Sequence, residues 1–322
     1  MNASGGRAGA LVLLAALVLG CASGTGRGAN NASPLRIKLG RSPLALAAGR
    51  RAVWVTSPGA RYGLATRIDA RTGAVRARAH VGWLPQSIAV DDRSVWVVNA
   101  PKPEARRPSS LQSSLFRLEP RTGRVVARIP LANPESVATG AGAVWVATPE
   151  GRVDRIDPRR NRVAAEIRVR GRGPSKIAFG FGTVWVLTPL VRPGRPSGTL
   201  LSRINPRSNR VVGATSLAGP AGEVAAGEGA IWVSANGVVA LDPRSGRPLG
   251  KPIPVVAGNL AAGAGAVWAA GANGRLLRID PTTRAVSGKP IRVGASADRV
   301  AVAGGFVWVT DSVRSILVRV RP

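Results

Sequence analysis

Few residues in this chain could carry covalent or metal chemistry. It has one histidine, His80, and one cysteine, Cys21. That inventory excludes a His- or Cys-rich metal cluster built by the chain alone, and no Ser and Asp partners for His80 can be assigned from spacing, which argues against a hydrolytic triad. His80 otherwise reads as a polar residue ending a strand. The remaining candidates are acids. Glu135, Glu150, Glu223 and Asp311 could hold a hard cation through oxygen ligands, or could be solvated rim residues offsetting nearby arginines. A divalent cation therefore enters only with an enzymatic alternative; the leading expectation has no cofactor and no catalytic residue.

The elements that must position these residues come from a repeat. Trp54, Trp96, Trp145, Trp185, Trp232, Trp268 and Trp308 recur at intervals of 42, 49, 40, 47, 36 and 40 residues. Each sits in a short β-branched run that follows a small turn, as in Val137-Ala-Thr-Gly-Ala-Gly-Ala-Val-Trp-Val146. Glycine supplies the positive φ that tight hairpins need, so this is a hairpin of strands A and B. A second pair follows, as in Arg117-Leu-Glu-Pro-Arg-Thr-Gly-Arg-Val-Val-Ala-Arg-Ile-Pro-Leu131, giving strands C and D. Four strands per repeat of about 42 residues predict the blade of a β-propeller. The fold class is all-β: seven four-stranded blades. The chain ends at a third strand, and Leu35-Arg-Ile-Lys-Leu39 supplies the missing fourth, so an N-terminal strand should complete the last blade and remove its open edge. Seven tryptophans at one strand position read as packing between blades, with ligand contact the other reading.

Antiparallel strands place the B–C and D–A connections on one face, here the loop face, and the A–B and C–D turns on the other, the turn face. Long connections in blades 1, 2 and 4 (56–63, 99–114 and 188–199) mark the loop face as the functional one. Its lining candidates are Gln86, Glu135, Lys176, Glu223, Asn259 and Asp298, with Asn99, Glu150, Asn236, Asn273 and Asp311. Trp83 and Tyr62 lie in loops on this face beside His80, outside the repeated series, and are the aromatic contact candidates.

The turn face is basic. Its C–D turns carry Arg71, Arg121, Arg124, Arg159, Arg160, Arg162, Arg207, Arg210, Arg244, Arg247 and Arg284. The formal net charge is +30, from 46 basic and 16 acidic residues. Five acids, Asp69, Glu119, Asp157, Asp242 and Asp280, fill one strand-C slot and read as turn caps or ion-pair partners. A surface this basic attracts polyanions.

The N-terminus decides which ones. Residues 1–20 read as an export signal: Arg7 is its one charge, and Ala8–Leu19 is an apolar run of 12 residues, too short to span a bilayer. Val18-Leu-Gly-Cys21 resembles the lipobox of bacterial lipoproteins, which implies cleavage before Cys21 and a lipid on its thiol. The other reading is ordinary secretion with cleavage near Ala22. Residues 21–33 form a flexible tether, and the propeller spans 34–322. Export argues against nucleic acid and for an extracytoplasmic protein, an anionic polymer or the membrane surface as partner. The expected state is a monomer, lipid-anchored on the outer side of the cell membrane, or secreted if the lipobox is unused. Strand D begins on the turn face, so tether and arginine ring share that side. The ring is expected to dock on anionic headgroups, each basic residue contributing about 1 kcal/mol near such a surface.

The two repeat segments quoted above resemble YVTN-type propellers and the virginiamycin B lyase-like proteins, over residues 35–322. The resemblance implies a seven-bladed fold. From the lyase relatives it implies metal-assisted ring opening of a cyclic depsipeptide by His and acidic residues at one propeller mouth. With His80 the single histidine, no catalytic residue carries over. Most of the resemblance points to exported binding or sensing propellers.

Overall fold

The computed structural model describes residues 34–100, 113–171, 173–190 and 198–322. Cys21, the segments expected to be signal and tether, and most of the long loops of blades 2 and 4 lie outside the described residues. The described strands form seven antiparallel sheets. Blade 1 contains Ala45–Ala48, Ala52–Ser57, Leu64–Asp69 and Val75–His80; blade 2 contains Leu84–Val90, Val95–Ala100, Ser114–Leu118 and Val125–Pro130. Blade 3 runs from Ser136–Gly140 through Arg162–Arg168, and blade 4 from Lys176–Gly180 through Arg210–Ala218. Blade 7 contains Val300–Ala303, Phe306–Asp311 and Ile316–Val320, with Leu35–Lys38 as its fourth strand. There Leu35 pairs with Arg319 and Lys38 with Ile316. The predicted closure is the observed one.

Two blades depart from the four-strand expectation. In blade 5 only Ala221–Gly227, Ala230–Ala235 and Val238–Leu241 are strands; the fourth position is reduced to isolated bridges, Val238 with Ile253 and Leu241 with Pro248. In blade 6 the fourth strand is split into Ala285–Val286 and Ile291–Arg292, both on Arg275–Asp280. Each interruption carries the same segment, Gly-Lys-Pro-Ile, at 250–253 and 288–291. Proline donates no ladder hydrogen bond, and blade 5 carries Pro248, Pro252 and Pro254 in this stretch.

The core is a ring of seven clusters, each built across a blade boundary. Trp54 of blade 1 packs with Val95 and Val97 of blade 2, and Trp96 with Val144 and Val146 of blade 3. The series continues through Trp145, Trp185, Trp232 and Trp268. It closes where Trp308 of blade 7 meets Val53 and Val55 of blade 1. Strand alternation explains the geometry: in Val-Trp-Val the indole points to the next blade while the valines point to the previous one. All seven indoles are 0% exposed. Burying about 200 Å² of each contributes up to about 5 kcal/mol. Five of their Nε1–H groups donate at 3.0–3.2 Å to a carbonyl at the end of strand A, as Trp232 does to Gly227.

A second series was hidden in the sequence. In blades 1, 2, 4 and 7 the strand-C arginine opposite the tryptophan reaches the C–D turn of the next blade, whereas Trp232 of blade 5 stands opposite Ala240. Arg67 donates to the Pro120 carbonyl at 3.0 Å and Arg117 to that of Pro158 at 2.6 Å. Arg203 donates to the carbonyl of Arg244, and Arg319 closes the ring on that of Arg71. Arg117, Arg155 and Arg319 also lie over Trp96, Trp145 and Trp308 at 5.3–5.7 Å. Part of the basic excess is thus inter-blade mortar rather than surface.

Candidate functional site

The A strands surround the axis. Register against the repeated tryptophans fixes which residue of each blade reaches the loop-face mouth. Ala47, Ala89, Ala138, Ala178, Ala225, Ala261 and Ala301 pair with the seven tryptophans. Two residues earlier stand Ala45, Ser87, Ser136, Lys176, Glu223, Asn259 and Arg299, one per blade. All seven line a cavity of about 170 Å³, joined by Gln86. Lys176, Glu223, Asn259 and Gln86 therefore line one cavity. Glu135 and Asp298 are each one residue out of register with this ring, and their neighbours Ser136 and Arg299 take the places. A one-residue slip moves a strand side chain to the other face, and only the tryptophan pairing resolves it.

The mouth is held together by hydrogen bonds between blades. Asn259 Nδ2 donates to Glu223 Oε2 at 2.6 Å, and Asn259 Oδ1 accepts the Val300 amide at 2.8 Å. Gln86 Nε2 donates to the Pro134 carbonyl at 2.9 Å, Arg299 Nε to that of Leu44 at 3.0 Å, and Ser87 Oγ accepts the Val137 amide. The Lys176 ammonium makes no hydrogen bond or ion pair among the described residues; it acts at longer range on Glu135 and Glu223. Burial pushes the Glu223 carboxyl up, against the opposing effects of Lys176, the Val224 amide, Arg299 and Asn259. Burial raises Glu135 as well, opposed by Lys176 and reinforced by Glu150. A carboxyl that resists ionisation is a weak counter-charge, so Lys176 and Arg299 dominate the mouth.

The other loop-face candidates are arranged differently. Asp311 is fully buried away from the axis, where its carboxylate accepts from the Ala295, Ser296 and Arg314 amides and from Ser296 Oγ. Burial pushes it up, but those amides prevail and hold it below the ordinary range. Asp298 accepts from the Ser312 amide and Ser296 Oγ. Glu150 accepts from Asn133. Asn99 is buried, and its Oδ1 accepts the Leu84 amide at 2.9 Å. Asn236 and Asn273 adopt left-handed backbone, φ 45° and 57°, in the B–C turns of blades 5 and 6. Glu135, Glu150, Glu223 and Asp311 thus do not gather, and no group of three or more His, Cys, Asp or Glu suited to a metal occurs among the described residues. Tyr62 is 38% exposed and stacks on His80, ring centroids 4.4 Å apart. Trp83 is half-buried, its Nε1 without a partner among the described residues.

On the turn face the eleven C–D arginines are all exposed. The strand-C acids cap these turns: Asp69 Oδ1 accepts from the Arg71 and Thr72 amides and from the Thr72 hydroxyl, and Asp157, Asp242 and Asp280 repeat the arrangement. The Thr72 amide and hydroxyl chiefly hold the Asp69 carboxyl below its ordinary range. Two grooves lie here, between blades 1 and 2 and between blades 2 and 3, with volumes of about 310 and 460 Å³; another of about 580 Å³ lies between blades 5 and 6 on the loop face, lined by Asn236 and Val256 among others. Sequence spacing had not singled the first two out, although the A–B turns that border them break the repeat: Gly49-Arg-Arg51 and Asp91-Asp-Arg93 stand where later blades carry a glycine-rich turn.

No protein-family model matches the chain, and no curated protein matches it. Solved structures do. A chain of Kuenenia stuttgartiensis hydrazine synthase superposes with a TM-score of 0.72 at 14% identity, over 93% of this chain and 99% of that one. U3-55K gives 0.67 at 10% identity, over 89% and 97%. BamB from Moraxella catarrhalis gives 0.55 at 14% identity, over 87% and 85%. At such identities the likeness is one of fold. The chain is a seven-bladed β-propeller, distantly similar to other propellers.

Proposed function

We propose that this protein is a non-enzymatic binding propeller, exported and anchored through a lipid on Cys21 to the outer side of a bacterial membrane. Its axial mouth takes the anionic end group of a ligand or an extracytoplasmic partner. One observation carries the reading: Lys176 and Arg299 converge on a polar cavity whose one ring acid, Glu223, is held by Asn259 and pushed toward its neutral form. Half-buried cations lining a small cavity favour a carboxylate or phosphate over a neutral group. About 170 Å³ admits an end group, not a folded surface. The surrounding loop face, with Tyr62 and Trp83 and the long connections of blades 1, 2 and 4, is the natural contact area for the rest.

The test is a thermal-shift titration of residues 34–322, which carry every described strand and close their own ring, with oligoglutamate, glycerol phosphate and Mg²⁺ or Mn²⁺. Stabilisation by the carboxylate or phosphate probe that is lost on Lys176→Ala supports the proposal. A metal-specific shift lost on Glu223→Gln would instead support a carboxylate-bound cation and displace the binding reading.

A further inference from the structure

The repeat makes departures from it informative. Five A–B turns, from blade 3 onward, carry glycine where the chain reverses, whereas those of blades 1 and 2 carry Arg50, Arg51, Asp91, Asp92 and Arg93. Packing does not require the change, because Trp96 finds in the Asp91 carboxylate, at 3.1 Å, the acceptor that other blades supply with a carbonyl. Asp91 also accepts from the Arg93 and Ser94 amides. The groove between these two turns has a volume of about 310 Å³. Trp54 and Pro120 form its wall, and Arg50, Arg51 and Arg121 stand at its rim. All three arginines are exposed, and their side chains make no hydrogen bond or ion pair among the described residues. Asp92, exposed and likewise without a hydrogen bond or ion pair among the described residues, also lines the groove, with Asp91 and Arg67.

From this geometry we infer that the groove binds the phosphodiester of a glycerol-type phospholipid headgroup and so fixes how the turn face sits on the membrane. Three guanidinium groups lining one pocket and free of side-chain hydrogen bonds, of which Arg121 alone has a nearby acid in Glu119, match a phosphate, which arginine grips with two parallel hydrogen bonds. Asp92 in the same lining accepts the headgroup hydroxyls. The position favours a membrane source. Leu35, the first strand residue, packs against Gly73 in the C–D turn of blade 1, where a Cβ on that glycine would lie 2.4 Å from its side chain. The Ala70 amide leading into this turn donates to the Arg51 carbonyl at 3.0 Å. The first strand of the propeller and the groove therefore share one edge of one face. The inference rests on the reading of the turn face as the membrane-facing side.

The experiment is flotation of residues 34–322 with phosphatidylcholine vesicles, with and without phosphatidylglycerol. The wild type is compared with the charge-conserving triple variant Arg50→Lys, Arg51→Lys, Arg121→Lys. A smooth basic ring is indifferent to this exchange, but bidentate phosphate recognition is not. The expected result is binding that requires phosphatidylglycerol and falls about tenfold in the triple variant, as loss of a charge-assisted hydrogen bond would give, with an unchanged melting curve. Unchanged vesicle binding in the variant overturns the groove while leaving ring docking intact. No binding by the wild type overturns both. Displacement of the protein by soluble glycerol phosphate as effectively as by lipid overturns the membrane as the source.

Discussion

Asn259 ties Glu223 of blade 5 to Val300 of blade 7, donating to the first at 2.6 Å and accepting from the second at 2.8 Å. One side chain thus spans three blades at the axis. Replacing it by leucine leaves the buried Val300 amide without its partner and the Glu223 carboxyl with the Val224 amide alone, which costs roughly 1–3 kcal/mol. Urea denaturation of Asn259→Leu should show that loss in the midpoint with little change in slope. An unchanged midpoint would mean that the mouth is not held by this bridge.

The same mouth sets a pH dependence. Burial raises Glu223 and Glu135 above the ordinary 4.5, so the folded state holds more protons than the unfolded one just above that value. Their contribution to stability falls as pH rises from about 4.5 through the folded-state values. Glu223→Gln mimics the protonated form. It should match the wild type near pH 4 and exceed it in melting temperature at neutral pH. The turn caps work in the opposite sense: Asp69, held low chiefly by the Thr72 amide, contributes stability above its ordinary 3.8 that disappears as pH falls through its folded value. For Asp69→Asn the deficit relative to wild type should therefore vanish in acid.

Arginines on the turn face should separate into two classes. Arg117 lies over Trp96, donates to Ser94 within blade 2, and reaches the Pro158 carbonyl and Asn161 across the boundary with blade 3. Arg117→Ala should cost about 2 kcal/mol. Arg124 in the adjacent turn is exposed and makes no side-chain contact of that kind, so Arg124→Ala should stay within about 0.5 kcal/mol. Parallel chemical denaturation of the two variants decides it, equal effects contradicting the division.

Where the sequence repeats, it is legible. The recurring tryptophans, the glycine hairpins and the strand-C acids recur in every blade or nearly so, and each recurrence is one packing or capping solution reused. Position within a strand was harder to read. Sequence spacing points to Glu135 and Asp298 for the ring that Ser136 and Arg299 occupy, because bulges such as those at Gln86, Gly222 and Gly258 shift the count in some blades. Asn99, Asn236, Asn273 and Asp311 have polar side chains on the loop face, yet their roles are set by backbone amides and left-handed turns that composition does not reveal. Strand-C arginines looked like surface charge because their partners are carbonyls of the following blade, about 41 residues away for Arg117. The interrupted fourth strands of blades 5 and 6 were visible in principle, as prolines at positions where a ladder needs amides.

The closure by Leu35–Lys38 is the most exposed dependence of the fold. This strand is the fourth of blade 7, paired to Ile316–Val320 over four residues, and the Leu39 amide extends it to the Ser315 carbonyl at 3.0 Å. Ile37 and Leu39 also pack into the cluster around Trp308 that joins the last blade to the first. Removing residues 34–39 would strip the outer ladder from Ile316–Val320 and expose an apolar edge, the kind of edge that pairs with another chain. It would also uncover part of the packing between blades 7 and 1. A chain beginning at Gly40 should melt at lower temperature than one beginning at Pro34 and associate with rising concentration by light scattering. Restoring a peptide of sequence Leu35–Leu39 in trans should reverse both effects, since it supplies the same hydrogen bonds at the entropic cost of association. A truncated chain that stays monomeric with an unchanged melting temperature would show that the ring is held by the tryptophan clusters alone.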